Sequence, residues 1–192
     1  MMKSTLLAAS LLFAAPLAMA EQDAAAVEAS IGPEIGAVAP EFSAVGSDGA
    51  NVAFTDIAGE QGAVLVFSRS LDWCPFCKKQ ANELNSVAAT MADAGWPISL
   101  ITYDPAETLA DYKSAEQIDY ALLSDRDSAM IDAFGLRNLD VTAGSRFDGI
   151  PHPAIVFVSA EGTVVEMLRE EGFRERPETE LLPATVAALA GS

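Results

Sequence analysis

The apolar positions along the chain alternate between two spacings. Ala63-Val64-Leu65-Val66-Phe67 is a nearly continuous run rich in branched side chains, the pattern of a strand buried on both faces of a sheet. Ala81, Leu84, Val87, Ala88 and Met91 then recur at helical spacing and predict a long amphipathic helix that stops at Gly95. Residues 97–103 read as a second central strand, 106–117 as a helix, 121–123 as a short strand and 128–134 as a helix ended by Gly135. Residues 136–147 lack periodicity and read as a surface loop. Residues 154–158 and 163–168 flank Ala160-Glu161-Gly162 as a hairpin, and a last helix covers 178–189, with Pro183 implying a kink or a late start. Ahead of all these, 40–44 and 51–54 read as two short strands joined by Gly46-Ser47-Asp48-Gly49, followed by one helical turn at 55–58. This order predicts an α/β fold: a central mixed sheet flanked by helices on both faces, with an N-terminal β-hairpin extension.

The N-terminus adds a different kind of segment. Residues 1–20 carry the pattern of a secretory signal peptide, with Lys3 as the positive start, an apolar run over 6–17 and Ala18-Met19-Ala20 as a cleavage site before Glu21. The run falls short of the roughly 20 apolar residues that span a bilayer. The expectation is an exported chain, most readily periplasmic, with a flexible segment at 21–35 and one domain at 36–192. Charge is strongly one-sided: 11 Lys+Arg face 28 Asp+Glu, a net −17, and loss of Lys3 with the leader makes the mature chain more acidic still. Such a surface disfavours nucleic acid and anionic membranes, so neither a nucleic-acid partner nor stable membrane association is expected.

Both cysteines of the chain lie in Trp73-Cys74-Pro75-Phe76-Cys77-Lys78-Lys79, where the first central strand gives way to the long helix. Pro75 suits the first helical turn, which puts Cys74 at the helix N-terminus; free N–H groups and the helix dipole there favour a thiolate. Cys77, three residues on, falls on the same side of that turn and can close a disulfide. A structural zinc site would need a second pair of ligands, and the chain has only one histidine, which nearly excludes it. An inert disulfide closing so short a loop would restrict the unfolded chain little. Redox work is the favoured reading and calls for no cofactor, with an inert disulfide and metal binding as the alternatives. Trp73 reads as an aromatic shield over the pair or as core filling, Phe76 as the aromatic residue between the cysteines, Lys78 and Lys79 as nearby positive charge, and Asp72 as a candidate proton carrier.

Several motifs together resemble the thioredoxin-like superfamily and, within it, the redoxin or AhpC/TSA-like (peroxiredoxin-like) branch. They are Pro40-x-Phe42 with Asp48-Gly49, the strand into Cys74-Pro75-Phe76-Cys77, Tyr103-Asp104, Leu123-Ser124-Asp125, and Pro153 followed by a strand and Gly162, spanning roughly 36–189. The resemblance implies that Cys74 attacks and Cys77 resolves, and that Pro153 follows a cis peptide bond and packs beside the cysteines, with Pro151 as the competing assignment. His152 would then stand next to the pair, able to lower the pKa of Cys74 or to complete a copper(I) set with the two thiolates. The chain departs from the family in two ways. Peroxiredoxins carry P-x-x-x-T-x-x-C and a later arginine, whereas Phe67, Leu71 and Pro153 stand at those places here, leaving Arg69 as the candidate substitute. Ser68 stands where thioredoxins carry a buried acid. These departures favour an exported thiol–disulfide oxidoreductase, acting on protein or small-molecule disulfides and thiols and recycled by a redox partner protein. The alternative is a peroxiredoxin-like thiol peroxidase, and a third reading is a copper(I) carrier using Cys74, Cys77 and His152.

Overall fold

The computed structural model describes residues 31–41, 43–172 and 174–191; the signal-peptide reading and most of the 21–35 segment lie outside them. The chain runs β1 (Ala44–Gly46), β2 (Asn51–Val52), α1 (Phe54–Ile57), β3 (Gly62–Phe67), α2 (Pro75–Asp93), β4 (Ile98–Thr102), α3 (Ala106–Glu116), β5 (Ala121–Ser124), α4 (Ala129–Ala133), β6 (Ala154–Ser159), β7 (Val164–Leu168), a 3₁₀ turn (Thr179–Leu181) and α5 (Leu182–Leu189). The strands form one sheet in the order β2-β1-β5-β4-β3-β6-β7. β3, β4 and β5 are parallel, while β6 runs antiparallel beside β3, so the start of β6 and the ends of the parallel strands share one edge. The register there pairs Phe67 with Ala154.

The expected central mixed sheet with helices on both faces is present, and the period-two pattern of the central strands explains it. Val64 and Val66 of β3 face one core with Leu100, Ile155 and Phe157, roofed by Ala81, Leu84 and Met91 of α2 and Leu182 of α5. Ala63, Leu65 and Phe67 face the other with Ile101, Val156 and Val158, against Ile131 of α4 and Phe134 at its C-terminal end. β3 is therefore buried at every residue, as its unbroken apolar run requires. α2 ends where Gly95 takes a φ of +79°, a left-handed conformation that closes a helix at little steric cost for glycine.

Boundaries moved where hydrogen bonding outweighed pattern. The first hairpin is shorter than its apolar positions indicate. Pro40 has no N–H for a ladder, and Gly36 and Ala39 donate instead to the carbonyls of Val164 and Gly162. Pro183 falls within the first turn of α5, giving the late start rather than the kink, because a helix has no internal partner for its N–H there.

Candidate active site

β3 ends at Phe67, and the six residues between it and Cys74 form a loop held from below by Asp104, just past the end of β4. Asp104 is buried, and its carboxylate accepts from the Ser70 hydroxyl at 2.8 Å, the Leu71 N–H at 2.6 Å and the Thr102 hydroxyl at 3.0 Å. Ser70 in turn accepts from the N–H groups of Asp72 and Trp73 at 3.0 and 3.3 Å. Burial raises the carboxyl pKa of Asp104 against the pull of these donors. The loop is thereby fixed to the sheet.

Cys74 is the N-cap of α2, and its Sγ accepts the Cys77 N–H at 3.2 Å. The two cysteines form a disulfide, and both are completely buried. Two guanidinium groups close on this pair. Arg69 Nη2 donates to Cys74 Sγ at 3.4 Å, while Arg176 Nη2 lies 3.3 Å from Cys77 Sγ and 4.0 Å from Cys74 Sγ. Burial lowers the pKa of Arg69. Arg176 is pushed down to about 10, first by burial and then by Arg69, with Glu175 opposing. Cations partly stripped of water in this way are favoured by an anion beside them, and reduced cysteine can supply one.

The wall around the sulfurs is aromatic on one side. Trp73 donates from Nε1 to the Tyr103 hydroxyl at 3.0 Å, which donates to the Arg146 carbonyl at 2.9 Å. The Trp73 ring meets Phe147 edge-on at 4.8 Å, and the Arg69 guanidinium sits 5.7 Å over it. A cavity of about 470 Å³ opens here, lined among others by Arg69, Trp73, Phe147, Ile150, His152 and Pro153. Phe76, 39% exposed, turns the other way, into a second groove shared with Gln80 and Arg176.

The structure thus brings Trp73, Pro75 and Phe76 around Cys74 and Cys77, and places His152 and Pro153 in the cavity wall beside Arg69. Some expectations need correction. No described peptide bond is cis, so Pro153 follows a trans bond. The preceding stretch is held extended by a bridge between Arg137 and Pro151 and by the His152 N–H bonded to the Leu136 carbonyl at 2.7 Å, and a trans bond meets that path. Among the described residues no group of three His, Cys, Asp or Glu side chains is gathered to hold a metal ion, and the two sulfurs of the copper(I) set are joined to each other. Burial, and then Arg169, lower the pKa of His152, which favours the neutral ring. Asp72 is exposed and Ser68 buried, so neither supplies a buried acid next to the pair. Asp104 and Arg176 are residues of this site that sequence reasoning did not single out. Asp104 closes a motif that was visible as Tyr103-Asp104, whereas nothing in the irregular stretch around Arg176 marks it.

Comparison with known proteins agrees with this layout. The chain is 30% identical to the peroxiredoxin Bcp of Escherichia coli K12 over 129 residues, covering 67% of this chain and 81% of the relative. The fold matches the peroxidoxin BcpB of Mycobacterium tuberculosis with a TM-score of 0.69 at 20% identity, covering 81% of this chain and 97% of that one. It also matches the bacterioferritin comigratory protein of Xanthomonas campestris with a TM-score of 0.65 at 21% identity, over 78% and 92% of the two chains. These neighbours share the expected thioredoxin-like arrangement. The AhpC/TSA family itself matches residues 35–167, a stretch that holds both cysteines, Arg69, Asp104 and His152, and this chain is a member of that family.

Proposed function

We propose that the protein is a thiol peroxidase in which Cys74 reduces a hydroperoxide and Cys77 resolves the product. The observation that carries this reading is the contact of the Arg69 guanidinium with Cys74 Sγ at 3.4 Å. The absence of the peroxiredoxin arginine from position 153 argued against peroxide chemistry in the sequence; Arg69 supplies an equivalent charge from the loop before the cysteine. A cavity lined by Arg69 and Trp73 adjoins the motif and is large enough to take a small hydroperoxide. The kinship with peroxiredoxin Bcp favours it further.

The Cys74 thiolate attacks the distal peroxide oxygen, the O–O bond breaks, and the leaving oxygen takes a proton and departs as water or an alcohol. Arg69 stabilises the thiolate before attack and the charge that passes to the leaving oxygen during it. Cys74 is left as a sulfenic acid, and condensation with Cys77 gives the disulfide and water. A dithiol reductant then returns two electrons, so thiol–disulfide exchange enters as the recycling half of the cycle rather than its purpose. The signal-peptide pattern supports a periplasmic setting for that reductant. Stopped-flow mixing of the reduced protein with hydrogen peroxide tests the reading. Oxidation should run orders of magnitude faster than for an ordinary low-pKa thiol, and Cys77→Ser should consume peroxide once and stop at a trappable sulfenic acid. A rate no greater than that of a simple thiol would return the protein to dedicated disulfide exchange.

A further inference from the structure

We propose that Arg176 holds the resolving cysteine, Cys77, as a thiolate and so sets how quickly the oxidised Cys74 is closed into the disulfide. The kinetic half of this proposal rests on the peroxidase reading above; the thiolate half does not.

The two guanidinium groups divide the two sulfurs between them. Arg69 bonds to Cys74, while Arg176 lies nearer to Cys77, at 3.3 Å against 4.0 Å for Cys74. A guanidinium gains little from a neutral disulfide sulfur and roughly twice as much, as a charge-assisted bond, from a thiolate. The position of Arg176 therefore favours the reduced, ionised form of Cys77. The burial that weakens its hold on its proton points the same way, since a half-desolvated cation is stabilised by an anion formed beside it.

The other charges facing Cys77 do not replace this contact. Its own helix contributes the N-terminal dipole of α2 and the neighbouring Lys78, and Arg69 bonds to Cys74. Glu175 acts on Arg176 itself, and Glu83, Arg174, Glu178 and Glu180 line the groove that also holds Arg176. Arg176 also lies beyond residue 167, where the family match ends.

In the step assigned to it, the Cys77 thiolate attacks the sulfur of the Cys74 sulfenic acid, the S–S bond forms, the S–O bond breaks, and hydroxide leaves to become water. A neutral Cys77 would have to shed its proton first.

The test separates the two halves. In a Cys74→Ser background, Cys77 is the sole thiol, and its ultraviolet thiolate absorbance gives its pKa directly. Arg176→Met should raise that pKa by about one unit or more, and Arg176→Lys should recover part of the shift. The same tenfold change in the otherwise wild-type pair should make the disulfide harder to reduce in a glutathione buffer by about 30 mV. In single turnover with peroxide, Arg176→Met should slow disulfide closure about three- to tenfold at neutral pH, because greater intrinsic nucleophilicity offsets part of the lost thiolate, and should slow the first oxidation less than that. Unchanged Cys77 titration in Arg176→Met, with circular dichroism showing a folded protein, overturns the proposal. Slow peroxide oxidation in the wild type would instead sink only the peroxidase reading, and the titration would still decide the role of Arg176.

Discussion

The two flanks of the disulfide are built in different ways. On the Cys74 flank, Arg69 comes from five residues upstream, on a loop whose hydroxyl and N–H groups converge on the buried carboxylate of Asp104. On the Cys77 flank, Arg176 comes from 99 residues downstream, on irregular chain between β7 and the 3₁₀ turn. The first cation is positioned by the sheet edge and lies within the family match; the second is delivered by a segment outside it. In the proposed cycle, the step needing a fixed geometry, attack on peroxide, falls to the flank anchored on Asp104. Disulfide closure, which follows it in that cycle, falls to a residue from beyond the family match.

The sharpest way to break this contrast is Arg69→Met. Removing a charge that touches the reacting sulfur should lower the second-order rate with peroxide by about 10²–10³, with Arg69→Lys retaining part of it. If Arg69→Met and Arg176→Met slowed the same step equally, the division between the flanks would be wrong.

A smaller effect tests the stiffness itself. Asp104→Ala leaves the Ser70 hydroxyl, the Leu71 N–H and the Thr102 hydroxyl without their acceptor, and urea unfolding should show a loss of about 2–3 kcal/mol. Asp104→Asn adds a check on sign. Burial raises the carboxyl pKa of Asp104 in the folded chain, so protonation is easier folded than unfolded. Relative to Asp104→Asn, the wild type should therefore gain stability as pH falls through that raised pKa, with the gain complete below the ordinary carboxylate value. Parallel stability–pH curves for the two proteins would contradict the buried-carboxylate account.

The least effect is expected at His152, which lines the cavity without a contact to either sulfur. His152→Gln should leave the peroxide rate within about threefold, since no charge-assisted contact to the reacting atoms is lost. Its pKa is lowered by burial, so the neutral ring is favoured in the fold. The stabilisation is present above the ordinary histidine value and is lost as pH falls through the lowered one. Thermal melts of His152→Gln should lose that acid-side decline. A large rate loss would move His152 from the cavity wall into the chemistry.

Much of this architecture was legible in the sequence, because it depends on local pattern. The unbroken apolar run at 63–67, the helical spacing from Ala81 to Met91 and Pro75 in the first helical turn together fix a buried strand, an amphipathic helix and a cysteine at the helix N-terminus. Period and backbone chemistry act within a few residues, so they can be read in one dimension. What the tertiary structure alone decided is the electrostatic setting of the sulfurs. Arg69 was visible as a candidate, but only the anchoring of its loop on Asp104 brings its guanidinium to Cys74. Arg176 carried no local signal at all, since its meaning depends on where the chain returns after β7. His152 had been linked to the cysteines through an assumed cis bond at Pro153, and the extended pairing along Arg137 and Pro151 seats it in the cavity wall instead. The sequence by itself determined which atoms can undergo redox chemistry, and the packing of distant segments decided which charges surround them, because a Coulomb interaction depends on separation in space and not along the chain.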